Sequence, residues 1–209
     1  MEPKTKHTAP LAFARFTSTT PDVLTKSFTL DGNDPIVKRP NANMVEGAVK
    51  VVEVDDLTAF GKLLDRLTSA QAVGYGLPIG HTSARIVTDD ALREGGHVAD
   101  TIARTRVFFA FASRPGILML DHDEHHDGPL DAEALHAKIV AAVPALANAA
   151  MLWRPSASAG VTREVDGTPA STSGGARLYV PVADAVLIPE AGKAIVERLW
   201  AAGAGWFRI

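Results

Sequence analysis

Asp121 and Asp123 are separated by a single residue at the end of the run Gly116-Ile117-Leu118-Met119-Leu120-Asp121-His122-Asp123. An apolar run of this length, rich in branched side chains, predicts a buried strand, and strand side chains alternate with period two. Both carboxylates therefore point to one face where the strand meets solvent. Two like charges held that close attract a divalent cation. Carboxylate oxygens suit Mg²⁺ or Mn²⁺, and a pair of them can hold two metals ~3.5–4 Å apart. An isolated Asp-x-Asp is also ordinary turn and capping chemistry, and the preceding apolar strand is what favours the metal site.

The flanking sequence sharpens the picture. Residues 121–133 hold six acids (Asp121, Asp123, Glu124, Asp127, Asp131, Glu133) and no Lys or Arg, a local charge of −6. His122, His125 and His126 interleave with them, but a zinc hydrolase run of the type His-x-His-x-Asp-His needs a histidine where Glu124 stands. Strand alternation turns His122 away from the acids, and the other two histidines read as part of a solvated loop. Further along, Ser156 and Ser158 follow Trp153-Arg154-Pro155, and Ser171-Thr172-Ser173-Gly174-Gly175-Ala176-Arg177 combines hydroxyls, glycines and a guanidinium. Hydroxyls and open backbone amides with a forked cation suit a triphosphate, although each segment alone is also an ordinary surface loop.

The elements that must position these residues follow from periodicity and turn chemistry. Residues 1–20, rich in Thr, Pro and Lys, suggest a loosely tied arm, and 21–209 a single domain. Extended segments are expected at Val23–Leu30 and Ala48–Val54, with Asp31-Gly32-Asn33-Asp34-Pro35 as a turn. Asp55 or Asp56 caps a helix to about Leu67, and Ser69 a second, short one. Ala84–Thr88 reads as a buried strand, and Asp89-Asp90 cap a short helix ended by Gly95-Gly96. Arg106–Ala112 and Gly116–Leu120 suggest a hairpin around Ser113-Arg114-Pro115. Asp131–Val143 is an amphipathic helix, Ala150–Arg154 and Arg177–Val182 are strands, Pro189–Trp200 is a helix, and Trp206–Ile209 begins another strand. The whole is α+β, an α/β mixture with at least one sheet.

Composition sets outer limits. A chain of 209 residues, 46% hydrophobic and 22% charged, with mean hydropathy +0.07, is long enough to bury roughly 70% of its unfolded surface. The absence of cysteine excludes disulfides, thiolate metal sites and cysteine nucleophiles. No apolar stretch reaches the ~20 residues of a membrane span, so no membrane partner is expected and a cytoplasmic location is. Net charge −3 and a pI near 6.1 do not advertise a nucleic-acid binder, yet residues 1–40 carry six Lys/Arg against four acids.

Taken in order, Leu120-Asp121-His122-Asp123, Trp153-Arg154-Pro155-Ser156-Ala157-Ser158 and Gly175-Ala176-Arg177-Leu178-Tyr179-Val180 resemble the archaeo-eukaryotic primase superfamily. The nearest likeness is to the bifunctional DNA primase-polymerase domains of phages, plasmids and integrated mobile elements, and it extends over Phe16–Phe28 and Ala183–Trp206. The resemblance implies a palm like an RNA-recognition-motif sheet behind an N-terminal α/β unit. It implies metal-dependent nucleotidyl transfer in replication, with nucleoside triphosphates and a single-stranded DNA template or primer as partners, and a helicase region or partner alongside.

In those terms Asp121 and Asp123 are the catalytic, metal-binding pair, and Arg177, Ser173, Ser158 and Ser156 contact the nucleotide. Arg177 stands where many relatives have the His of Gly-x-His-x-Tyr, and Arg binds phosphate without shuttling a proton near neutral pH. The family's third acid follows a strand that here begins near Trp206, so the chain reads as a fragment ending before it. Asp184 comes too early to replace it. Two other readings of the same residues remain: a metal-dependent phosphoesterase or nuclease using His125 or His126, and a non-catalytic single-stranded DNA-binding replication-initiation module.

Overall fold

The structure, a computed structural model, describes residues 9–24, 27–29, 37–39, 43–95, 98–122, 130–156, 159, 162, 167 and 175–204. It is mixed α+β, with several sheets and four α-helices among the described residues. Two compact units share the chain, one formed by His7–Ile117 with Val182–Val186, the other by Leu118–Pro181 with Leu187–Ile209. Each body is assembled from separated stretches.

The first stretch runs β1 (Leu11–Thr20), β2 (Ser27–Thr29), β3 (Val37–Arg39), β4 (Glu46–Val54), α1 (Leu57–Leu64), β5 (Gln71–Gly74), β6 (Leu77–Pro78), β7 (Ser83–Val87), α2 (Asp89–Gly95), β8 (Thr101–Ala103), β9 (Phe109–Ala110) and β10 (Gly116–His122). Five of these strands make a sheet in the order β5-β1-β4-β7-β8. β1 is antiparallel to both its neighbours and β4 to β7, whereas β7 and β8 are parallel. A parallel pair needs a crossover, and α2 supplies it.

The arm expected over 1–20 does not hold for its second half. Leu11–Thr20 is the most buried strand of the sheet, because Leu-Ala-Phe-Ala-Arg-Phe presents apolar side chains in both directions. On one face Ala14 and Phe16 pack with Met44, Val49, Ala84, Ile86 and Ile102. Opposite, Phe13 meets Phe60 of α1 edge-on, with ring centroids 5.0 Å apart. The Asp56 carboxylate caps α1, accepting from the Ala59 amide at 2.7 Å, while α2 is capped from Thr88, whose hydroxyl accepts from Ala91.

Two other local expectations fail for non-local reasons. No helix follows Ser69: the Ser69 and Ala70 carbonyls accept from Leu24 and Ser18, which draws Gln71–Gly74 into the sheet as β5. The hairpin of Arg106–Ala112 with Gly116–Leu120 is also absent. Phe109–Ala110 pairs instead with Leu77–Pro78 as β9 and β6, and β10 pairs with a later strand. The turn at 31–35 and the strand expected from Trp206 lie outside the described residues.

After β10 come α3 (Ala132–Ala142), β11 (Leu152–Pro155), β12 (Ala176–Val182) and α4 (Ile188–Ala201). Strand order in this sheet is β10-β12-β11, with β11 and β12 antiparallel. Asp131 caps α3 as its sequence position suggests, accepting from Ala134 at 2.7 Å. Leu135 and Ile139 then pack on Ala176 and Leu178 of β12, and α4 adds buried Ile188 and Ile195. Past β12 the chain returns to the first body: Ala185 N–H donates to the Arg114 carbonyl at 2.9 Å, and the Ser113 hydroxyl to Asp184 at 3.3 Å.

Phe13 has no solvent exposure, so Phe13→Ala is expected to lower stability by about 3–5 kcal/mol in urea unfolding. A double-mutant cycle with Phe60→Ala should give a coupling of about 0.5–1.5 kcal/mol for the edge-on pair.

Candidate functional site

β10 is buried over Gly116–Leu118, half-buried at Met119 and Leu120, and exposed at Asp121. The carboxylate thus stands where an apolar strand reaches solvent, as its sequence setting predicts. Across the sheet β12 brings Arg177 beside it, and Arg177 Nε donates to Asp121 Oδ1 at 3.1 Å. The two side chains are 46% and 39% exposed, so the ion pair contributes at most about 1 kcal/mol to stability.

A second guanidinium lies on the far side of Arg177. In the β11–β12 register Arg154 is directly opposite Arg177, with Leu152 opposite Tyr179 and Trp153 opposite Leu178. Opposed residues of an antiparallel pair share a face. Three adjacent strands therefore carry Asp121, Arg177 and Arg154 in a row: one carboxylate and two guanidiniums. Arg154 falls within a segment noted in the sequence, but its role depends on pairing register, which no local pattern reveals.

Ser156 and Gly175 close the end of this arrangement. The Ser156 amide donates to the Gly175 carbonyl at 2.7 Å, just beyond the last paired residues Pro155 and Ala176. A Cβ on residue 175 would lie 2.8 Å from Ser156 Oγ and 3.3 Å from the His122 carbonyl oxygen. Only glycine lets these three chain segments approach so closely. Asp123, Ser158 and Ser173 lie outside the described residues, as do Glu124, His125 and His126.

Beside the site is a cavity of about 430 Å³. Its walls are mainly apolar, from Leu120, Leu135, Ile139, Leu178 and Ile195, and its polar lining is Asp121, His122 and Lys138. Lys138, a single cation on an amphipathic helix, carries no signal in the sequence. Asp184 serves a local purpose, accepting from Val186 N–H at 3.2 Å in the turn after β12. Among the described residues no three His, Asp or Glu side chains converge. The donor set at Asp121 is hard carboxylate oxygen, which fits Mg²⁺ or Mn²⁺ completed by substrate phosphates and water.

No family model matches this chain, and no curated protein or solved structure matches it.

Two substitutions separate the site from its frame. Asp121→Asn should change unfolding free energy by less than about 1 kcal/mol, because the ion pair is half in water. Gly175→Ala should destabilise by about 1–3 kcal/mol, since the new methyl must displace Ser156 or the His122 backbone. Urea unfolding of both variants measures the contrast.

Proposed function

We propose that the chain is a nucleotidyltransferase of the primase-polymerase kind, adding nucleotides to a primer along a single-stranded DNA template during replication of a mobile element. The observation that carries this reading is the row Asp121, Arg177, Arg154 across β10, β12 and β11. Support also comes from element order. A strand-helix-strand-strand-helix succession with sheet order β10-β12-β11 matches the first five elements of a βαββαβ unit, the plan of an RNA-recognition-motif-like palm.

Asp121 with Asp123 would hold Mg²⁺ or Mn²⁺, which neutralises phosphate charge and activates an attacking hydroxyl when bound. The remaining work falls to side chains of the chain itself. Arg177 and Arg154 offer planar forks that match phosphate oxygens as well as they match a carboxylate. In the structure Arg177 donates to Asp121. An arriving triphosphate gives Arg177 a doubly charged alternative, and the Asp121 oxygen is freed as the guanidinium turns away. Ser156, with Ser158 and Ser173, would donate hydroxyl hydrogen bonds to the same phosphates. Preorganised charge of this kind stabilises the transition state without any proton passing through Arg177.

This exchange has a distinctive signature. Arg177→Ala should weaken binding of a deoxynucleoside triphosphate by about tenfold or more. It should also strengthen Mn²⁺ binding in the absence of nucleotide, because Asp121 has lost its competing cation. Calorimetry for the triphosphate and electron paramagnetic resonance for free Mn²⁺ read the two effects. Asp121→Asn with Asp123→Asn should reduce Mn²⁺-dependent primer extension by about a hundredfold or more. Extension that survives the double change rules the reading out, and metal-dependent cleavage of labelled single strands without extension points instead to a phosphoesterase.

A further inference from the structure

Where α1 lies against β1, the body built on the five-stranded sheet holds a cavity of about 390 Å³. Val54, Leu63 and Leu67 form much of its apolar wall. Three cations, Arg15, Lys62 and Arg66, line it as well, and no acidic residue does.

Two of these cations have a local reason for their positions. Lys62 lies in the last turn of α1 and Arg66 just past its end, where positive charge complements the helix dipole. Arg15 has no such reason. It stands half-buried in the middle of β1, and its Nε is shut off from solvent with no hydrogen-bond partner among the described residues. Register adds to the cost, because Arg15 is directly opposite Lys50 of β4, and like charges opposed on one face are destabilising. Its neighbour on the other side is Val73 of β5, whose side chain accepts nothing. The acid of β4 nearest in sequence, Glu53, is opposite Ala12 on the other face and is taken up by Arg114. Among the described residues Arg15, Lys50, Lys62 and Arg66 make no ion pair.

We propose that this cavity binds a small organic phosphate monoester, with its dianionic head on Arg15, Lys62 and Arg66 and its apolar body against Leu63 and Leu67. A forked guanidinium with two further cations matches a compact group that carries two charges and several acceptor oxygens. The apolar wall favours a ligand with a body as well as a head, and the volume is that of a small-molecule site. A phosphate there gives the buried Nε–H of Arg15 the acceptor that the sheet withholds. The inference is independent of the nucleotidyl-transfer reading, since these residues belong to the other body and need no metal.

The test is calorimetric titration of the full chain with phenyl phosphate in EDTA, with inorganic phosphate as the head alone. Phenyl phosphate should bind about tenfold more tightly than inorganic phosphate, because its ring is buried. Arg15→Met should weaken phenyl phosphate binding about tenfold or more, and Lys62→Gln with Arg66→Gln by a similar factor. Arg15→Met should also keep or raise the melting temperature, since an apolar side chain of similar length replaces an unsatisfied donor. A fall in melting temperature would show that Arg15 serves the fold and would overturn the proposal. Asp121→Asn should bind phenyl phosphate as the unaltered chain does, and loss of binding there would assign the ligand to the other body. Unchanged affinity in the Arg15 or the Lys62 and Arg66 variant, equal affinity for inorganic phosphate, displacement by oligothymidylate at equal phosphate concentration, or no binding by the unaltered chain would each overturn it too.

Discussion

The architecture depends on β1 being satisfied on every side. Its backbone is paired along one edge with β4 and along the other with β5, and its side chains are buried in both directions. A strand in that position has no tolerance for register error, since a slip of one residue exchanges its faces. Phe13 would leave Phe60, and Phe16 would leave the Met44, Val49 and Ile86 cluster. Gly47 shows how closely the neighbour follows, because a Cβ there would collide with the Thr17 carbonyl oxygen and the Met44 side chain. The one buried polar side chain on the strand, Ser18, is satisfied by donating to the Pro21 carbonyl at 2.6 Å.

The smaller sheet follows a different logic. Its interior is conventional, with α3 laid on β12 through Leu135, Ile139, Ala176 and Leu178. Its unusual property is the alignment of Asp121, Arg177 and Arg154 on consecutive strands. An apolar pair in those positions would hold the sheet together at least as well, because exposed ion pairs stabilise little and opposed arginines repel. Gly175 and Ser156 limit how far the ends of the strands can spread, so that charge is held in a defined place.

The parts of this structure that could be read from the chain are those determined locally. Asp121 at the mouth of an apolar strand, the Asp56 and Asp131 caps, and the helices after them all follow from neighbours within a few residues. The misread parts depend on distant pairing. β1 is apolar and preceded by Thr, Pro and Lys, so it passes for part of a tail until β4 and β5 claim its edges. The residues after Ser69 have no local reason to be extended, and β9 finds its partner more than thirty residues upstream in β6. Arg154 lies in plain sight, but its meaning appears only when β11 is registered against β12. The division into two bodies is hidden for the same reason, since five residues near the end belong with the first half.

Those five residues, Val182–Val186, give the chain an order in time. The Ala185 amide and the Asp184 carboxylate are held by Arg114 and Ser113, so the first body is finished with material that follows the second in sequence. A ribosome delivers the chain from its N terminus, and domains ordinarily fold as they emerge. Here the five-stranded sheet can form early but stays open at that seam until residues 118–181 have been made. Its completion is therefore a late event in synthesis, and a newborn chain halted before Val182 carries an unfinished first body however well its sheet has formed.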